Sequence, residues 1–243
     1  MTSSPENHDI IEHVVLFNVK EEEDDDYSTK VNDMVNSLNS LNSLASVIYL
    51  TAGPIYRTRS SPLKYTHMLH ARYRTLSDLH DYTLHPAHIS VVDNHVRPLC
   101  EDVMAVDWSS SLLEDQDEDT SSSNPGAGRV LVPRPGSALR ITFLAVEDDD
   151  AINDALEGVK KIKESVQGTY EQISYGKNFS ERGKGFSVAA LAVFSDLNEL
   201  DACEEYEDQM RSLIHKVKGG DDDVIAVDYV VPRLVNVDST VEL

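Results

Sequence analysis

The sequence predicts an α+β protein assembled from two copies of one unit, and three observations carry that prediction. Glu101-Asp102-Val103-Met104-Ala105-Val106-Asp107-Trp108 recurs 121 residues later as Asp222-Asp223-Val224-Ile225-Ala226-Val227-Asp228-Tyr229, with five identities. Ser77-Asp78-Leu79 echoes as Ser195-Asp196-Leu197 at an offset of 118, so the register holds to within a few residues. Within each copy, β-branched runs and helically spaced runs follow one another as strand, helix, strand, strand, helix, strand. Self-similarity at a fixed offset is the mark of a duplicated unit.

Each element has its own warrant. His13 to Lys20 is apolar and β-branched, as in a strand buried on both faces. Val31, Met34, Val35, Leu38, Leu41 and Ala45 fall at helical spacing and give one apolar stripe. Ser46 to Ala52 and Lys64 to Tyr73 read as strands, with Gly53 to Pro62 an irregular stretch and loop. Residues 76 to 100 read as a helix broken at His85-Pro86, where proline removes a donor and can open a new helical segment. Val103 to Trp108 closes the unit. In the second copy the strands fall near Ala138 to Val146, Gly168 to Gly176, Gly185 to Val193 and Val224 to Val230. Its helices fall near Ala151 to Val166 and Leu197 to Lys218.

This order is the split β-α-β pattern of a ferredoxin-like unit. Such a unit covers one sheet face with helices and leaves the other apolar, so a second sheet must cover it. Two ferredoxin-like (βαββαβ) units in one chain can pack sheet to sheet and close a barrel-like core, an internal pseudo-dimer. The expected domains are 9–110 and 138–234, joined by an acidic linker over 111–137. The linker stretch Glu114 to Gly126 has no apolar residue to bury and repels itself.

Composition narrows the function. The 243 residues carry 43 acidic and 21 basic side chains, a formal charge of −22, which argues against nucleic acid and anionic membranes as partners. No apolar run is long enough to span a bilayer, and the N-terminus lacks the basic and apolar regions of a secretory signal. Cys100 and Cys203 lack metal-type spacing and read as reduced core residues in a reducing compartment. The expected location is cytoplasmic. No phosphate loop, G-x-S-x-G elbow or H-E-x-x-H motif is present. The acidic runs at Glu21 to Asp26 and Asp221 to Asp223 lack the spaced ligands of a calcium loop and read as solvated.

The chemistry-bearing feature is Asp81-Tyr82-Thr83-Leu84-His85-Pro86-Ala87-His88, set after a strand carrying Tyr65-Thr66-His67. With His13 on the first strand, His67 on the third, and His85 and His88 flanking the helix break, the fold could gather imidazoles around Tyr82 at one end of a cavity. An apolar pocket with a few polar points is the usual small-molecule site. A histidine near neutral pKa could shuttle a proton while a tyrosine hydroxyl orients it. The opposing reading is that these histidines satisfy backbone carbonyls and set the helix angle. Metal binding lacks a carboxylate or cysteine at ligand spacing. In the second copy Leu200 to Tyr206 has neither histidine nor proline, so that unit is expected to have lost the polar cluster and to supply mainly the covering sheet.

Glu12-His13-Val14-Val15-Leu16-Phe17, Tyr65-Thr66-His67, the Asp81-Tyr82…His85-Pro86-Ala87-His88 break and Val106-Asp107-Trp108 together resemble the stress-responsive A/B barrel (dimeric α/β-barrel) family, in its tandem plant form. The match is close over 13–108 and rests on fold pattern over 138–233. The family includes olivetolic acid cyclase, a polyketide-cyclising enzyme. The resemblance implies His88 as a catalytic base and Tyr82 as its assistant, with His13, His67 and His85 lining the ligand site. The substrate it implies is a small apolar or polyketide-like molecule. The same resemblance leaves three functions standing: ligand binding without turnover, aldol cyclisation, and a non-catalytic assembly module. It also raises magnesium on backbone oxygens near Leu41 to Val47, pairing of the whole chain into a further homodimer, and a peroxisomal address, although Val241-Glu242-Leu243 shares only its leucine with the usual signal.

Overall fold

The computed structural model describes residues 9–22, 26–111, 132–217 and 223–233. Most of the expected acidic linker, the core of the first acidic run and the C-terminal tripeptide lie outside them. The first unit runs β1 (Asp9–Val19), α1 (Tyr27–Ser40), β2 (Tyr49–Pro54), β3 (Arg57–Ser60), β4 (His67–Tyr73), α2 (Leu76–Leu84), α3 (Pro86–Val91) and β5 (Cys100–Ser111). The second runs β6 (Ala138–Ala145), α4 (Asp149–Ser165), β7 (Gln172–Lys177), β8 (Phe186–Phe194), α5 (Leu197–Ala202), α6 (Glu204–Val217) and β9 (Val224–Val230).

Two antiparallel sheets result, ordered β2-β4-β1-β5 and β3-β9-β6-β8-β7. Leaving β3 aside, each has the ferredoxin-like order, with the first strand of its unit between the third and the last. Alternation along the strands sorts the side chains into layers. On β1, Ile11, Val15 and Phe17 face the helices, together with Met34, Leu38 and Tyr82. Val14 and Leu16 face the other sheet and meet Leu139, Ile141, Phe143, Val227 and Tyr229. The apolar face that one unit alone would expose is therefore buried by the other. The barrel core is built within one polypeptide.

The units also exchange backbone. Arg57–Ser60, expected in a surface loop, is β3, and it pairs with β9 of the second unit through Arg57↔Asp228 and Thr58↔Val227. The reciprocal loop after β7 pairs with the free edge of β5: Phe179 N donates to Asp107 O (2.9 Å) and Ala105 N to Arg182 O (3.2 Å). Each unit thus covers an edge strand of the other, which satisfies backbone groups an open edge would leave exposed.

The helix break falls where the sequence places it, at His85, which is extended (φ −66°, ψ 132°) ahead of Pro86 at the first position of α3. The chain then passes through a widened turn over Val92–Val96 before β5. The second unit corrects one expectation. Leu197 to Lys218 is not one helix but two, because Cys203 leaves the helical region (φ −82°, ψ 67°). No proline marks this break. The new helix opens on Glu204, Glu205 and Glu207, side chains that suit the positive end of a helix.

Candidate functional site

His13 lies on the helix-facing side of β1, opposite Asp107 on β5 and Ala71 on β4. Its Nδ1 hydrogen-bonds Asp107 Oδ1, and both residues are buried. Burial alone would raise the Asp107 carboxyl, but the His13 ring, the Arg182 charge and the Ser180 hydroxyl outweigh it and hold the group below its ordinary value. Arg182 and Ser180 sit on the loop after β7, so the second unit contributes charge to a site otherwise built from the first.

From His13 a run of rings leads outward. Tyr73 and Tyr82 stand 6.1 and 6.2 Å from His13 in edge contacts. Their own centroids are 5.3 Å apart, and Tyr82 lies 4.5 Å from His88. The positions follow from local structure. Tyr82 is on the buried face of α2 with Leu79. The break at His85 then turns the chain so that His88, six residues on, meets the same ring. Burial raises both tyrosine hydroxyls above their ordinary range, so each stays protonated at neutral pH. The Tyr73 hydroxyl is buried against Tyr82 without a well-formed hydrogen bond.

His88 is the partly exposed end of this run. Its Nδ1 lies 3.1 Å from the Thr83 carbonyl. A carbonyl only accepts, so Nδ1 carries the proton and Nε2 is left as the basic nitrogen. Burial is the main influence on this ring and lowers its pKa, aided by the charges of His13 and Arg182 and opposed by the Thr83 bond. His88 is therefore a neutral imidazole at pH 7, and its Nε2 has no hydrogen-bond partner among the described residues.

The other two implied histidines do not join the rings. His67 pairs with Phe17 and Pro54 at the far end of β4 from Tyr73, and its Nδ1 contacts Thr66 Oγ1 at 3.0 Å. His85 is exposed, and its Nδ1 accepts from Ala87 N (3.2 Å) as the cap of α3.

Sequence reasoning missed two charged clusters. Inside the barrel, Glu12, His70 and Arg72 are fully buried, with His70 Nε2 2.7 Å and Arg72 Nη2 2.9 Å from the Glu12 carboxylate. Burial pushes the Glu12 carboxyl up, but Arg72 and His70 together hold it down at about 2. The second cluster replaces the His13–Asp107 pair in the second unit. Arg140 on β6 stands opposite Asp228 on β9, as His13 stands opposite Asp107. Arg140 Nε donates to Asp228 (2.7 Å), which also accepts from Arg57 (2.7 Å) and Arg59 (3.2 Å) of β3. The second unit has lost the histidines, as the sequence indicates. It has not lost polarity there, since arginines and carboxylates fill the place.

Three or more His, Cys, Asp or Glu placed to hold a metal do not occur together among the described residues. The turn raised for magnesium contains no carboxylate. Its Leu41 and Leu44 carbonyls accept from Leu44 N (3.1 Å) and Val47 N (3.0 Å), leaving only neutral oxygens for a hard divalent cation. That donor set does not fit a dedicated site, and no chemistry is assigned to a metal.

A single chain that folds into two ferredoxin-like units, sheet on sheet, with a Tyr–His cluster under one broken helix, defines an intramolecular dimeric α/β barrel. The family model of the Stress responsive A/B Barrel Domain matches residues 11–110 and 139–231, so the chain belongs to that family. A stress-response A/B barrel domain-containing protein of Arabidopsis thaliana is 39% identical over 236 residues, covering 96% of this chain and 82% of its own. A second protein of that description from the same plant is 37% identical over 225 residues, covering 92% and 97%. Among solved structures, a putative monooxygenase from Fusobacterium nucleatum superposes with a TM-score of 0.61 at 14% identity, covering 92% of this chain and 93% of that one. An anthrone oxidase-like protein gives 0.60 at 10% identity, covering 95% and 94%. These two likenesses concern the fold alone. No helix is long and apolar enough to cross a membrane among the described residues.

Proposed function

We propose that this stress-response A/B barrel protein binds one small apolar or polyketide-like molecule at the first unit, beneath the α2–α3 break, with Tyr82 and His88 as its polar contacts. The observation that carries the reading is the ring run His13–Tyr73–Tyr82–His88, which ends on a neutral imidazole with a free Nε2. Leu79 and Val91, buried in the same cluster as Tyr82, would give an aromatic or acyl ligand apolar contact, and the Tyr82 hydroxyl would donate to its carbonyl. The test is thermal denaturation of the protein and of His88→Ala with aromatic, polyketide-like and fatty-acyl compounds. A stabilising shift in the wild type that the variant lacks supports the site. Equal shifts in both, or none with any compound, overturn it.

The state of His88 favours a second reading, aldol cyclisation. Nε2 would take an α-proton from a linear poly-β-keto compound while the protonated Tyr82 hydroxyl donates to the carbonyl on which negative charge develops. His88→Ala should then abolish turnover with the circular dichroism spectrum unchanged. Turnover that survives the substitution sinks the assignment.

A further inference from the structure

The second unit holds a cavity of about 170 Å³ between β6, α6 and β3. It occupies the place that the His13–Tyr82–His88 site occupies in the first unit, since Arg140 and Asp228 repeat the register of His13 and Asp107. The two ends of its wall differ in chemistry. Met210, Ile214, Val224 and Ala226 form an apolar end. Arg59, Arg140 and Arg211 present three positive charges at the other, against the single carboxylate of Glu207 in the lining.

Those cations are not all fully engaged. Arg140 is tied closely to Asp228 behind the cavity, at 2.7 Å, and also to Glu207 in its lining. Arg59 reaches Asp228 at 3.2 Å, Glu207 at 3.3 Å and Asp201 at 3.7 Å, and Arg211 reaches Glu207 at 3.7 Å and Asp208 at 3.1 Å. Charge-assisted bonds to a carboxylate normally close to about 2.7–2.9 Å. Tyr206, also in the lining, is 1% exposed, and its hydroxyl has no hydrogen-bond partner among the described residues. A buried phenol without an acceptor is destabilising, and an acceptor on a ligand would relieve that cost.

We infer that this cavity is a second ligand site, taking a small monocarboxylate with a ring-sized apolar body. The carboxylate would share Arg59 and Arg211 with Glu207 and could accept from Tyr206, while the body lies against Met210 and Ile214. A cavity of about 150 Å³ is enough for a benzene-sized ring. Because Arg59 comes from β3 of the first unit, the site is complete only when the two units are paired. It lies apart from Tyr82 and His88 and stands or falls independently of them.

Sodium benzoate and benzamide, equal in shape and unlike in charge, serve as probes in ligand-observed NMR titrations at matched ionic strength. Benzoate should bind the full-length protein and benzamide on the order of tenfold more weakly. Arg211→Gln, at an exposed residue, and Arg59→Gln should each weaken benzoate by a similar factor. Met210→Trp should remove, by filling the cavity, the component of benzoate binding that Arg211→Gln weakens, and His88→Ala should leave that component unchanged. The inference is overturned if benzoate does not bind or benzamide binds as well. It is equally overturned if Arg211→Gln, still folded, binds benzoate undiminished, or if His88→Ala rather than Met210→Trp removes binding.

Discussion

Trp108 of the first unit lies over Gly176 of the second and donates its indole N–H to Ser174 Oγ at 2.9 Å. The repeat supplies the mirror contact, for Tyr229 lies over Gly53 with its hydroxyl 3.0 Å from Thr51 Oγ1. Each closing strand therefore lodges an aromatic residue against a glycine in the other unit's sheet. A methyl group at Gly176 would stand 2.7 Å from the Ser109 carbonyl, on backbone that cannot swing aside, whereas at Gly53 it would meet the Tyr229 hydroxyl at 3.2 Å. Gly176→Ala should thus cost about 1–3 kcal/mol of stability and Gly53→Ala less, as read from urea midpoints. Trp108→Phe should cost about 1 kcal/mol by leaving Ser174 without its donor.

The Glu12–Arg72–His70 cluster makes a different demand. Glu12→Gln keeps the shape but leaves Arg72 buried beside a neutral amide, and an arginine cannot discharge to escape. The expected loss is about 3–5 kcal/mol in chemical denaturation. The wild type should also weaken in acid. Glu12 is held at about 2 in the folded state against 4.5 as its ordinary value, so between those pH values the unfolded chain binds more protons. Stability must fall as pH drops through that window. Glu12→Gln should flatten that part of the curve.

How far the sequence could be read follows from these residues. The duplicated unit, the strand order and the broken helix were legible because each leaves a period or a proline in the sequence. β3 was not, because Arg57-Thr58-Arg59-Ser60 has no apolar alternation and becomes a strand only by pairing with β9 of the other unit. The break at Cys203 carried no proline, although the glutamates after it were a usable sign. Glu12 shares a face with Val14 and Leu16, so parity alone placed it inside the barrel, yet a charged residue at a strand end reads as exposed until its partners are known. The Tyr82–His88 contact could be anticipated from spacing around Pro86. The reach of Arg182 into that site could not, since it depends on a pairing between units.

Three histidines are shifted in the same direction. Burial is the leading influence on His67, His70 and His88 and lowers each below the ordinary 6.5. A lowered histidine makes the folded state bind fewer protons than the unfolded chain between its own pKa and 6.5. Stability should therefore be full above pH 7 and decline as pH falls below 6.5 toward the lowered values. Denaturation at pH 7.5, 6.5 and 5.5 checks this, and His88→Gln should remove its share of the decline without altering the value at pH 7.5 by more than its own packing. A curve that rises between 6.5 and 5.5 would contradict it.

The two related aspartates should respond unequally to the same substitution. Asp107 faces His13 in a side-chain hydrogen bond, so Asp107→Asn costs a hydrogen bond to a charged group, about 1.5–3 kcal/mol at most. Asp228 is fully buried and accepts from Arg140, Arg57 and Arg59, none of which can shed its proton. Asp228→Asn leaves the buried Arg140 leaning on Glu207 alone, and the expected loss is about 3–5 kcal/mol. The substitution also loosens β3, whose two arginines it releases from the second sheet. Hydrogen exchange over Arg57–Ser60 should accelerate in Asp228→Asn and stay as in the wild type in Asp107→Asn. Equal losses in the two variants would mean that the inability of arginine to give up its charge does not set the cost.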